Sequence, residues 1–175
     1  MTDKVLDNWK NYLREEKKES KNAAAGFIIY CPNKDSILLI RRAPAQGDYV
    51  GELTGPFGGA EEGEDAFQTA VRETKEEIGA SHDFSGKDYE NMHEEHHGDE
   101  IFTTFLMGSA SEFPCTLNPE HDACGWIDID EVYRAINKKD GVLISNKFSD
   151  HTGEKIEVKA KIHNNTIDAL KKFNI

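Results

Sequence analysis

The chain has 175 residues, 37% hydrophobic and 31% charged, with a net charge of −12. That is the size and composition of one compact domain, and it is too acidic to grip a long nucleic-acid backbone, where Lys and Arg must replace counterions. The longest apolar runs, 26–30 and 37–40, are far too short to span a bilayer.

In chain order, residues 3–20 read as a charged amphipathic helix with Val5, Leu6, Trp9, Tyr12 and Leu13 at helical spacing. This helix can pack on its own core or on a second subunit, so a homodimer stays open. Its start, Met1-Thr2-Asp3-Lys4, lacks the basic-then-apolar layout of a secretory leader. Residues 23–31 and 36–42 read as strands joined by a Pro-Asn-Lys-Asp turn. Residues 43–60 hold five glycines and two prolines and read as mostly loop. Residues 65–78 read as a helix with Phe67, Ala70, Val71, Thr74 and Ile78 on one stripe and Gly79 to end it. Residues 81–99 are polar and irregular, with room for a short helix. Strands are expected at 100–110 and 123–129, a helix at 130–137, a hairpin over 142–158 and a closing helix at 161–173. Cys31, Cys115 and Cys124 are odd in number, widely spaced and without a CxxC pair, which predicts reduced thiols in a cytoplasmic setting.

The informative chemistry lies in 58–80. Glu73, Glu76 and Glu77 stand at i, i+3 and i+4, so they share one helical face beside the apolar stripe, at the edge of the core. Like charges at these spacings repel by about 0.2–0.5 kcal/mol per pair on an exposed helix, and by more when shielded. A hard divalent cation with oxygen ligands removes that cost, and Mg²⁺ suits a site completed by phosphate. The competing reading of three such glutamates alone is a solvated acidic face.

The rest of the segment resembles the Nudix family, whose signature runs G-x5-E-x7-R-E-U-x-E-E-x-G-U with U a bulky aliphatic. Gly58, Glu64, Arg72, Glu73, Glu76, Glu77 and Gly79 fall on every fixed position. Pro56-Phe57-Gly58-Gly59, Leu38-Leu39-Ile40-Arg41-Arg42 and Glu120-His121-Asp122-Ala123-Cys124-Gly125-Trp126-Ile127 are also similar to that family. Thr74 and Ala80 depart from it where bulky aliphatics are usual, and Phe57 stands where glycine is frequent.

The resemblance covers about 24–135 and implies an α+β chain, an α/β/α sandwich around a mixed sheet. One domain over 1–175 is expected, with helical extensions at 3–20 and 138–175. It further implies Mg²⁺, with Mn²⁺ able to substitute, held by Glu73, Glu76, Glu77 and the Gly58 carbonyl. Glu64 and Arg72 are expected to support the site as an ion pair. Arg41 or Arg42 would meet substrate phosphate, at most one of them, because adjacent strand residues point oppositely. The implied reaction is hydrolysis of a diphosphate bond by activated water. Glu120 is the candidate fourth carboxylate, a ligand or general base, with Glu94, Glu95 and Glu100 as rivals. The implied substrate is a small phosphorylated metabolite, led by ADP-ribose or a dinucleotide, then nucleoside triphosphates and last capped RNA; no membrane and no long nucleic acid are expected.

Two other readings carry less. A metabolite-sensing module of the same fold would be expected to have lost ligating glutamates, which this chain retains. His93-Glu94-Glu95-His96-His97 matches H-E-x-x-H and, on a helix, would suggest a zinc peptidase. A solvent-exposed loop is the simpler account of those residues.

Overall fold

The structure is a computed structural model that describes residues 23–44, 50–79, 84–86 and 88–175. The helix expected at 3–20 lies outside the described residues. Among the described residues nine strands form one mixed sheet: β1 (Ala23–Cys31), β2 (Ser36–Arg42), β3 (Leu53–Thr54), β4 (Phe57–Gly59), β5 (Asn91–His97), β6 (Glu100–Gly108), β7 (His121–Asp128), β8 (Val142–Ser149) and β9 (Lys155–Lys161). Their order is β5-β6-β1-β2-β7-β8-β9, with β4 paired to the start of β1 and β3 to the end of β2. β1 and β6 run parallel from Ala23↔Ile101 to Tyr30↔Gly108, while the other pairings are antiparallel.

The central strands are buried on both faces, which is why they read as unbroken apolar runs. Phe27, Ile29, Leu38, Ile40, Phe105 and Met107 pack against helix α1 (Ala66–Ile78). Ile28, Ile37, Leu39 and Leu106 point to the other face, under α2 (Ile129–Ile136) and α3 (Asn164–Phe173). The result is the expected α/β/α sandwich. Among the described residues no helix is long and apolar enough to cross a membrane.

The described part of 43–60 is mostly loop, as expected, with Leu53–Thr54 and Phe57–Gly59 paired to β2 and β1. Two expectations need correction. The segment 81–99 is not wholly irregular, and the short helix is not seen in its described part: Asn91–His97 is an edge strand against β6. Its Gly98-Asp99 turn, with Gly98 at φ 67°, is a two-residue hairpin connection. Here the strand has no apolar alternation to betray it; His93 and Glu95 face inward and Glu94 and His96 outward. On a strand His93 and Glu94 point to opposite sides, so the H-E-x-x-H arrangement of a zinc peptidase does not form.

The second correction concerns the cysteines. Cys115 and Cys124 are joined by a disulfide, their Cα atoms 6.4 Å apart, and Cys31 is free and buried. The connection after β6 folds back over β7, so residues nine apart in sequence meet in space.

Candidate active site

Helix α1 begins with a capping box. The Asp65 side chain accepts from the Gln68 amide at 2.8 Å, and Gln68 Oε1 accepts from the Asp65 amide at 2.9 Å. Gly63, at φ 89°, makes the turn into it, and Gly79 at φ 111° ends it. Thr74 is buried and donates its hydroxyl to the Ala70 carbonyl at 2.7 Å, so a polar residue sits in the apolar stripe without an orphaned group.

The three glutamates differ sharply in environment. Glu76 keeps 55% of its side-chain exposure, whereas Glu77 as a residue is only 2% exposed. Glu77 Oε2 accepts from the Phe57 amide at 2.8 Å. Burial, and then the charges of Glu73 and Glu120, push the Glu77 carboxyl well above the usual range against the pull of the Phe57 amide and Arg42. Glu73 lies against Gly58, where any Cβ would collide with its carboxylate. It too is raised, first by burial, with Glu76 and Glu120 adding repulsion and Arg72 opposing.

Arg72 ties these parts together. Its Nε and Nη2 donate to the two oxygens of Glu64 at 2.8 and 3.0 Å, and Nη2 also donates to the Gly59 carbonyl at 2.7 Å. Its Nη1 donates to Glu73 at 2.7 Å and Glu76 at 3.3 Å. Glu64, gripped by Arg72, is held down at about 2.

The loop before β7 brings a second set of groups. Glu120 is half-buried, and its carbonyl accepts from the Ala43 amide at 2.8 Å. Its amide donates to Asn118 Oδ1 at 3.1 Å, and His121 Nδ1 lies 3.0 Å from that same oxygen. Because Asn118 presents an acceptor there, Nδ1 carries the hydrogen and Nε2 a lone pair. His121 Nε2 lies 3.6 Å from Glu77 Oε1, with the histidine 1% exposed. Burial holds His121 down at about 4, so it is neutral at pH 7 and this contact is not an ion pair. Two acceptors facing one another favour a proton or a cation between them. The sequence reading missed this role of His121 and Asn118, since neither sits on the helix that carries the acidic pattern.

Of the two arginines expected at the substrate, Arg41 is committed elsewhere. It forks onto Asp122 with contacts of 2.7 and 3.0 Å. Arg42 points the other way and lines a cavity of about 190 Å³ beside Gly58 and Gly59. Its charge also reaches Glu77 and His121. Trp126 belongs to packing: its indole donates to the Phe113 carbonyl at 2.8 Å and its ring meets Phe113 edge-on. The rivals to Glu120 lie at the sheet edge, where Glu95 faces His93 at 2.9 Å and Glu94 faces His96 at 2.8 Å.

The chemistry of the donor set fits the divalent cation that the resemblance implies: hard carboxylate oxygens, with Glu73 and Glu77 raised first by burial and then by neighbouring carboxylates. Among the described residues no group of three or more His, Cys, Asp or Glu side chains converges as a ready-made site. Arg72 now spans Glu73 and Glu76, and Glu76 is the side chain that would turn from it to complete a shell.

The fold has many solved counterparts. The C. elegans Ap4A hydrolase is 22% identical with a TM-score of 0.52, covering 63% of this chain and 83% of that one. RenU, a Nudix hydrolase from M. smegmatis, is 17% identical with a TM-score of 0.54, covering 88% and 84%. A MutT/nudix family protein from Enterococcus faecalis is 16% identical with a TM-score of 0.60, covering 97% and 68%. At these identities they show a shared fold. No curated protein sequence matches the chain. The NUDIX domain model matches residues 20–151, the stretch that contains α1, its glutamates and the Glu120 loop, and the chain therefore belongs to the Nudix family of pyrophosphohydrolases.

Proposed function

We propose that the chain hydrolyses the pyrophosphate bond of a nucleoside diphosphate linked to another moiety, of the ADP-ribose or dinucleotide kind, or of a nucleoside triphosphate. Glu73, Glu76, Glu77 and the Gly58 carbonyl would hold Mg²⁺, or Mn²⁺ in its place. The observation that carries this is Glu77, a carboxylate sealed from solvent beside Glu73 and under the charge of Glu120. Such a cluster stores repulsion that serves no packing purpose and that a divalent cation relieves. Two proteins of the same fold, an Ap4A hydrolase and a dihydroneopterin triphosphate pyrophosphohydrolase, are consistent with an anhydride substrate.

When bound, the cation supplies charge neutralisation on the phosphate oxygens and makes water a better nucleophile. The chain's own groups do the rest. The Phe57 amide fixes one oxygen of Glu77, and Arg72 with Glu64 locks the 59–64 loop to the helix. Arg42 draws substrate phosphate toward Glu77. Glu120, outside the helix and close enough for its charge to act on both Glu73 and Glu77, takes the proton of the attacking water. Glu77→Gln keeps the shape and the Phe57 hydrogen bond but removes the charge. It should lower Mg²⁺-dependent product release by orders of magnitude while circular dichroism stays unchanged. Near-normal turnover in that variant would show that the site has been misassigned.

A further inference from the structure

The connection from β6 to β7 folds over the α1 face of the sheet, and it is fixed part-way by a covalent bond. Phe113 and Cys115, two residues apart, meet Trp126 and Cys124, two apart on β7. Before Cys115 the connection is held by side chains: Ser36 Oγ donates to Glu112 at 2.7 Å and the Trp126 indole to the Phe113 carbonyl at 2.8 Å. After Cys115 it bridges to the end of α1. There the Thr116 amide donates to the Ile78 carbonyl at 2.9 Å, and the Asn118 amide to the Glu77 carbonyl at a long 3.4 Å. Asn118 Oδ1 in turn holds the Glu120 amide and the His121 ring. The groups that face Glu77 from outside its helix therefore depend on a bridge whose covalent anchor is the Cys115–Cys124 bond.

That bond is placed for attack from outside. Both cysteines line a cavity of about 880 Å³ over β7, β8 and β9, with Trp126, Lys155 and Ile156 among its other walls. Cys115 is half-buried, whereas Cys124 is buried and paired within the sheet to Ile40 and Ser149. Cys115 is thus the sulfur that an incoming thiolate reaches, and it stands on the segment that can move away once the bond is open. Cys31 is free and buried on β1, so it does not compete for a reagent in solution.

We propose that Cys115–Cys124 is a thiol-exchange site, opened by a dithiol that enters this cavity, and that its opening loosens the bridge to α1 and slows hydrolysis. One thiolate of the dithiol attacks Cys115 Sγ. The sulfur–sulfur bond breaks and its electron pair leaves on Cys124 Sγ, which takes up the proton that the first thiol lost. The second thiol loses its proton and attacks the mixed disulfide, releasing Cys115 Sγ, which takes up that proton. The dithiol departs as a disulfide, and two electrons and two protons have passed to the protein. Without the cross-link the loop regains conformational freedom, and the Ile78 and Glu77 carbonyls are left to hold its middle to α1. Asn118 then places the Glu120 amide and the His121 ring less firmly. Glu64, Arg72 and Glu73 are tied to one another and keep their arrangement. The effect on turnover rests on the pyrophosphohydrolase reading above; the exchange chemistry and the loosening do not.

The test treats the full chain with dithiothreitol under native conditions. Iodoacetamide labelling locates the thiols, and hydrogen exchange read by mass spectrometry follows the loop. The bond should open without denaturant and leave Cys115 labelled. Amide exchange across 116–121 should rise at least about tenfold, while 66–76 in α1 and 36–41 in β2 stay unchanged. Cys115→Ser, which cannot form the bond, should exchange like the reduced wild type and ignore dithiothreitol; the wild-type comparison decides the question even if this variant does not fold. A bond that opens only in denaturant, exchange over 116–121 that is equal in both states, or a rise shared by every segment overturns the proposal. With a panel of nucleoside diphosphate derivatives and Mg²⁺, turnover should fall at least about tenfold on reduction and return on reoxidation. Unchanged turnover beside a loosened loop overturns the claim that the bond governs catalysis. A native-state opening with a loosened loop, and no turnover of any derivative in either state, supports the thiol site and refutes the hydrolase reading.

Discussion

Replacing Glu64 by Gln tests how far one ion pair holds the site loop to its helix. Glu64 accepts both prongs of Arg72, together with the Thr69 hydroxyl and the Glu61 amide at 3.0 Å each. Its carboxyl is lowered from 4.5 to about 2, chiefly by Arg72. That gap, at about 1.4 kcal/mol per pH unit, caps the charge contribution at roughly 3.4 kcal/mol. The Glu64 side chain keeps 19% exposure, and screening at such a rim brings the expectation to about 1–2 kcal/mol. For a chain of this size that is a fall in Tm of about 2–8 °C. The sign follows from the depressed value. The unfolded chain takes up the proton first as pH falls, so the stabilisation is complete above about 4.5 and is lost progressively toward about 2. Urea unfolding of wild type and Glu64→Gln at pH 7, 5, 4 and 3 should show a gap that is constant at the two higher values and narrows at the two lower. A gap that stays the same at all four, or is absent at pH 7, would refute the assignment of the stabilisation to this charge.

Other outcomes follow from the same geometry. Glu120→Gln should lose most of its rate with little change in KM and an altered pH–rate profile, while Glu94→Gln, Glu95→Gln and Glu100→Gln stay close to wild type; one inactive rival beside an active Glu120→Gln would move the base to the sheet edge. His93→Ala and His97→Ala should each keep Mg²⁺-dependent hydrolysis within about tenfold, a barrier change of roughly 1.4 kcal/mol, and stoichiometric zinc lost together with activity would contradict this. The Cys115–Cys124 bond closes a short loop that contains Asn118, Glu120 and His121. Its reduction, followed by thiol counting and thermal unfolding, should cost about 2–3 kcal/mol of stability, and unchanged stability on complete reduction would show that the loop is held by its other contacts.

The sequence by itself determined the parts whose information is local. The runs at 23–31 and 36–42 became β1 and β2 with those bounds, because residues buried on both faces must all be apolar. The Asp65 cap and the Gly79 stop framed α1 because caps are decided within a single turn. The spacing of Gly58, Glu64, Arg72, Glu73, Glu76 and Glu77 named the acidic site, since one helix and its leading loop carry it. What only the tertiary structure decided rests on contacts between distant segments. Spacing puts Glu76 and Glu77 on one helical arc, but Phe57, Asn118 and His121 leave the first in solvent and bury the second. Strand alternation sends Arg41 and Arg42 to opposite sides of β2, but only the folded chain brings Asp122 against Arg41. The strand at 91–97 carries polar residues on both faces, so its pairing with β6, and not its own pattern, makes it a strand. Cys115 meets Cys124, and α3 meets β4, only after the sheet has brought their connections together, and chain order gives no physical measure of that proximity.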